Sequence, residues 1–111
     1  MSASIPLERE IQKVCLNWLL KSAKCFAWRQ NSTGIFDREK GFFRVAPKRG
    51  APDIIAIAKG RFIGIEVKRP GGGRQSDEQK WFQESVEAAG GEYWLVYSLA
   101  DLQHKWYNLN A

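Results

Sequence analysis

Between Ile5 and Ala23, apolar residues recur at helical spacing: Leu7, Ile11, Val14, Cys15, Trp18 and Leu19. That period predicts an amphipathic helix with one buried stripe, which Ser4 can cap and whose first turn accommodates Pro6. Cys25 to Arg29 reads as a short strand, stopped by the polar run Gln30-Asn31-Ser32-Thr33-Gly34. Residues 35–46 suit a ragged hairpin, with Lys40-Gly41 as its turn and Phe42, Phe43 and Val45 on the return. The sharpest pattern is the apolar run Ile54-Ile55-Ala56-Ile57-Ala58 after Asp53, then Lys59-Gly60, then Arg61 to Lys68. It predicts two strands joined by a two-residue turn. Pro70 to Gly73 ends the second strand as a flexible loop. Ser76 opens a helix to about Ala89, closed by Gly90-Gly91. Tyr93 to Tyr97 reads as a strand, and Ser98 can cap a last helix through about Trp106. The order is helix, three or four strands, helix, strand, helix, which predicts an α/β domain with a mixed sheet flanked by helices.

The predicted hairpin places chemistry. If Ala58 pairs with Arg61, the ladder brings Asp53 opposite Glu66, with Cβ atoms about 4.5–5.5 Å apart on one face. Two carboxylates that close repel unless a cation lies between them. Lys68 is two residues from Glu66 and shares its face, whereas Ile63, Ile65 and Val67 point to the core. Gly64, on the charged side, leaves room for a ligand to approach. A hard ion such as Mg²⁺ or Mn²⁺ takes carboxylate oxygens and few protein ligands. Asp53, Glu66 and the Val67 carbonyl are candidates to hold one. The metal would activate water and offset charge on a phosphodiester, with Lys68 orienting the water, deprotonating it or steadying that charge. Taken alone, Glu-x-Lys is equally a solvated cross-strand pair. The combination with Pro52-Asp53 at a strand start is what favours a site.

Charge reinforces this. The formal net charge is +5 over 111 residues. Arg38, Lys40, Arg44, Lys48, Arg49, Lys59, Arg61, Lys68, Arg69 and Arg74 share their stretch with the acids Glu39, Asp53 and Glu66 only. Such a field suits a polyanion. Arg29, Asn31, Ser32, Lys48, Arg49, Arg69 and Arg74, near strand ends and loops, are candidate DNA phosphate contacts. Trp18, Trp81 and Trp94 fall in periodic elements and are expected in the core rather than stacked on bases. A single histidine argues against the usual zinc sites, and Cys15 and Cys25 have no metal-ligand spacing. Cys15 falls on the apolar face, as a small hydrophobe. The sequence shows neither a membrane-spanning run nor a signal-peptide plan, so one cytoplasmic domain over residues 1–111 is expected.

Gly50-Ala51-Pro52-Asp53 with Ile65-Glu66-Val67-Lys68 resembles the PD-(D/E)xK nuclease motif. Ser76-Asp77-Glu78-Gln79 followed by Gly90-Gly91 resembles its VRR-NUC branch, the virus-type replication-repair nucleases. The branch is similar to Holliday-junction resolvases, and small members occur in phages and bacteria. The resemblance implies a restriction-endonuclease-like αβββαβ core and a DNA-cleaving, Mg²⁺- or Mn²⁺-dependent activity. It also implies a further catalytic, metal-binding acid on the first helix, for which Glu8-Arg9-Glu10-Ile11 offers two candidates. The run matches with Glu8 as that acid. Glu10 lies on the other side of the apolar stripe, and whichever is left over suits the helix dipole. Gln79 has two competing readings: the family likeness makes it a site residue, while Ser76-x-x-Gln79 is also a capping box. The site role is preferred here. A junction resolvase needs two symmetric cuts and hence a homodimer. The alternatives are a flap-, nick- or end-directed nuclease, or a non-catalytic nucleic-acid-binding module, against which the acid pair argues. A small-molecule enzyme is disfavoured, because Gly71-Gly72-Gly73 lacks a dinucleotide fingerprint.

Overall fold

A computed structural model describes residues 7–30 and 50–109, together with the main chain of residues 35–37 and 42–44. Helix α1 spans Glu8–Lys21 and buries Ile11, Cys15 and Leu19, one residue per turn along a single line. The expected stripe was wider. Leu7 and Val14 lie off that line and are exposed, while α1 packs against three strands and the last helix. Leu7 occupies the N-cap without a side-chain cap, and the predicted Ser4 cap and Pro6 lie outside the described residues.

Strands β1 (Phe26–Arg29), β4 (Ile54–Ala58), β5 (Arg61–Val67) and β6 (Glu92–Val96) form one sheet in the order β1-β4-β5-β6. Its first pairings are antiparallel and β5–β6 is parallel, which gives the mixed sheet. The expected hairpin after residue 34 is present as β2 (Ile35–Asp37) and β3 (Phe42–Arg44), a separate antiparallel pair; its turn and Val45 lie outside the described residues. Lys59 and Gly60 both have positive φ, 53° and 76°, the type I′ geometry that matches strand twist. That turn sets Ala58 against Arg61 and carries the ladder back to Ile54 against Ile65.

One face of the sheet, with Ala27, Ile54, Ala56, Ile63, Ile65, Val67 and Val96, packs against Ile11, Cys15 and Leu19 of α1 and Leu102 of α3 (Leu99–Asn108). Each fully buried Leu or Ile contributes about 1.5–3 kcal/mol. Trp106 ties these layers together, edge-on to Trp18 at 5.9 Å and to Trp94 at 6.4 Å. Helix α2 (Asp77–Ala88) lies against β6 and contributes no fully buried residue. Trp81, expected in the core, stands 57% exposed on it. Among the described residues no helix is long and apolar enough to cross a membrane.

Candidate active site

Asp53 precedes the first ladder pair of β4, so it is released from strand pairing while still held at the strand's end. Its main-chain carbonyl accepts from Gln30 N–H at 2.7 Å, which ties it to the end of β1. Its Oδ2 accepts from Val67 N–H at 2.8 Å. Glu66, the residue before Val67, is only 5% exposed, and its carboxyl hydrogen-bonds to that of Asp53. The two acids meet as the register required.

Their electrostatics divide the labour. Burial, then the neighbouring Asp53 charge, push the Glu66 carboxyl up to about 9. Burial also raises Asp53, but the Val67 N–H and the hydrogen bond to Glu66 oppose that shift. Two carboxyls this close resist ionising together, and both are pushed up. Lys68 favours the charged form of both acids. Its own N–H donates to Val96 O at 2.9 Å, fixing the backbone to β6 just past the end of the ladder.

The donor set fits a hard divalent cation, since two adjoining carboxylates are relieved of repulsion either by a shared proton or by a cation. In an extended strand the N–H and C=O of one residue point to the same side, so the Val67 carbonyl faces the side from which Asp53 takes its hydrogen bond. Among the described residues no three of His, Cys, Asp and Glu converge as a metal-holding set. Glu8 lies beside the pair and raises both carboxyls through its charge, but Arg69 N–H reaches its Oε1 at 3.5 Å. It thus sits next to the pair without completing a set of three. Glu10 is exposed and does not contribute to that field.

Three expectations need revision. Gly64 does not leave room for a ligand: a Cβ there would lie 2.8 Å from Pro52 Cγ, so the space is taken by the residue that precedes Asp53. Gln79 forms the capping box rather than reaching freely into the site. Its Oε1 accepts from Ser76 N–H at 2.9 Å, and its N–H donates to Ser76 Oγ at 3.1 Å. The loop after β5 is a tight turn, with Gly72 N–H donating to Arg69 O at 2.8 Å across Pro70-Gly71.

Of the candidate phosphate contacts, Arg29, Arg69 and Arg74 are exposed. Asn31, Ser32, Lys48 and Arg49 lie outside the described residues. Tyr93 is a site residue that sequence reasoning missed. It pairs with Gly64, is 4% exposed, and its hydroxyl donates to Gly50 O at 3.4 Å and meets the Gln75 side chain. Burial and then the Glu66 and Asp53 charges raise its pKa, so it stays neutral beneath the acids. No sequence signal separates it from an ordinary strand aromatic.

No family model and no curated protein matches this sequence. Among solved structures, the chain is similar to one described as a "VRR_NUC domain protein", with a TM-score of 0.68 and 20% identity. The match covers 97% of this chain and 89% of that one. The chain has that α/β fold.

Proposed function

We propose that the chain is a metal-dependent nuclease of the VRR-NUC type that hydrolyses DNA phosphodiesters. The observation that carries this is the adjoining Asp53–Glu66 pair, Glu66 buried and Asp53 half-buried, with Lys68 alongside at the end of a fixed hairpin. A structural role alone gives no reason to bury an acid against another acid at a cost in desolvation. Mg²⁺ or Mn²⁺, held by Asp53, Glu66 and the Val67 carbonyl, would supply Lewis-acid polarisation of the phosphate and a lowered pKa for water. Asp53, oriented by Val67 N–H, and Glu66 would hold the cation as carboxylates, its charge offsetting their repulsion. Lys68 holds positive charge beside the phosphate as negative charge builds in the transition state. Glu8 tunes the pair from α1 as a positioning residue, and the exposed Arg29, Arg69 and Arg74 take phosphate oxygens along the strand.

Contacts of this kind read backbone shape rather than base edges, which favours branched DNA. Symmetric resolution of a four-way junction would need a two-fold dimer. The same centre serves flap-, nick- or end-directed cutting. The test is cleavage of labelled junction, flap, nicked and linear duplex with Mg²⁺, Mn²⁺ or EDTA, alongside Asp53→Ala. Paired cuts in the junction alone, lost with EDTA and with Asp53→Ala, establish a resolvase. Metal-dependent cutting of other forms moves the substrate. Tight binding without cutting under either metal ends the nuclease reading.

A further inference from the structure

Strand β1 sits at an edge of the four-stranded sheet and alternates sharply. Ala27 is buried in the core, while Phe26 and Trp28, which share the opposite face, are 69% and 37% exposed. Their ring centroids are 5.3 Å apart and the planes are inclined at 47°. Ile57, paired with Phe26, is exposed beside them. Two exposed aromatic rings in contact, with an exposed Ile beside them, make this face a candidate interaction site.

Its position is informative. Trp28 pairs with Ile55, Ile55 with Gly64 and Gly64 with Tyr93, so the aromatic pair lies on the same sheet face as Glu66 and Tyr93. Trp28 Nε1–H donates to Gln30 Oε1 at 3.2 Å, and Gln30 N–H donates to Asp53 O at 2.7 Å. The row Phe26, Trp28, Gln30 thus runs along one strand to the catalytic acid. At about 3.4 Å per residue, Trp28 lies about 7 Å and Phe26 about 14 Å along the strand from Gln30.

Charge narrows the occupant. The strands that border this row are basic: residues 23–30 and 54–65 include Lys24, Arg29, Lys59 and Arg61 and not one acid, with Arg29 and Arg61 alternating toward the other face at the strand ends. A second copy docked two-fold against this edge would set one basic border against another. A paired duplex keeps its bases stacked on one another and offers the rings nothing. An unpaired strand brings both phosphates for the cations and π-faces for the aromatics.

We propose that Phe26 and Trp28 form a stacking platform for unpaired bases of the DNA strand that leads to Asp53 and Glu66. A substrate with single-stranded character beside the scissile bond is then preferred, as at an open branch point. The role in substrate choice rests on the nuclease reading above; the binding itself does not.

The experiment measures anisotropy of a labelled oligothymidylate and of a labelled blunt duplex in EDTA. The proteins are wild type, Phe26→Leu/Trp28→Leu, Phe26→Tyr/Trp28→Tyr and Asp53→Ala. Leucine keeps the apolar surface and removes the π-face; tyrosine keeps both. The leucine pair is expected to weaken single-strand binding by about fivefold to a hundredfold per ring. Duplex binding should shift less than about twofold, and the tyrosine pair should track the wild type within about threefold. Equal losses on both DNAs, no loss with leucine, or equal losses with leucine and tyrosine overturn the platform. So does a wild-type dimer that the leucine pair turns into a monomer by sedimentation, because the face is then an interface between copies. If aromatic-dependent binding holds but neither metal supports cleavage, the platform stands and the nuclease reading falls. If cleavage depends on Asp53 but binding ignores the aromatics, the reverse follows.

Discussion

Val67 donates its main-chain N–H to Asp53 Oδ2 at 2.8 Å, across the open end of the β4–β5 hairpin. This bond holds the Asp53 carboxyl against Glu66, whose pKa burial and the Asp53 charge raise to about 9. Stability and activity should therefore separate at these two positions. Asp53→Ala leaves a part-buried N–H unpaired and should cost about 1–3 kcal/mol. Glu66→Gln replaces a neutral carboxyl by a neutral amide and should be no less stable than wild type at neutral pH. Both should lose cleavage on the order of a thousandfold or more. Denaturant melts beside cleavage rates check this, and an active Glu66→Gln protein would remove Glu66 from the site.

The same pair sets a pH dependence. Glu66 is raised from 4.5 to about 9 in the folded protein, so the folded state binds this proton more tightly than the unfolded chain does. Its contribution to stability is fully present below the unfolded value and is lost as pH rises toward the folded one. In EDTA, the melting temperature of the wild type should fall relative to Glu66→Gln between about pH 5 and 9. Mg²⁺ should reverse that decline by holding the ionised pair. Parallel pH profiles for the two proteins would mean that Glu66 does not carry the proton.

Much of this centre was legible because a two-residue turn leaves a hairpin little freedom. Once Lys59-Gly60 is the turn, Asp53 must arrive beside Glu66. What was not legible depended on which neighbours cover each face. Trp81 looks like a core aromatic in the sequence, yet it stands on a helix that packs on the edge strand β6 and buries no residue fully. Tyr93 reads as an ordinary strand residue until the parallel β5–β6 pairing, a long-range contact, sets it beside Gly64. Gln79 was a contest between two physical uses of one amide, and the local one, closing at three residues' distance, is formed.

Gly64 is a steric requirement of the site rather than an opening in it. A methyl group there meets Pro52 Cγ at 2.8 Å, and Pro52 is itself fully buried. Gly64→Ala should cost about 1–3 kcal/mol and move Pro52-Asp53 away from Val67. Cleavage should fall although no ionisable group has changed. Gly73→Ala, whose Cβ would meet nothing within 4 Å, is the control and should stay within about 0.5 kcal/mol of wild type. Equal behaviour of the two variants would show that Pro52 yields freely.

The capping box makes its own distinction. Gln79→Ala should cost about 0.5–2 kcal/mol, the usual loss of a helix cap. Gln79→Glu keeps the reciprocal hydrogen bonds with Ser76 and adds a negative charge at the start of α2, so it should melt no earlier than wild type. A glutamate cannot donate as the Gln79 Nε2 does, so cleavage by this variant reports on any further use of that amide. With the cap as its only task, Gln79→Glu should cut within about twofold of wild type, a surface-level change. A tenfold loss of cleavage at unchanged stability would return Gln79 to the reaction centre, with its oxygen on Ser76 and its Nε2 turned to substrate.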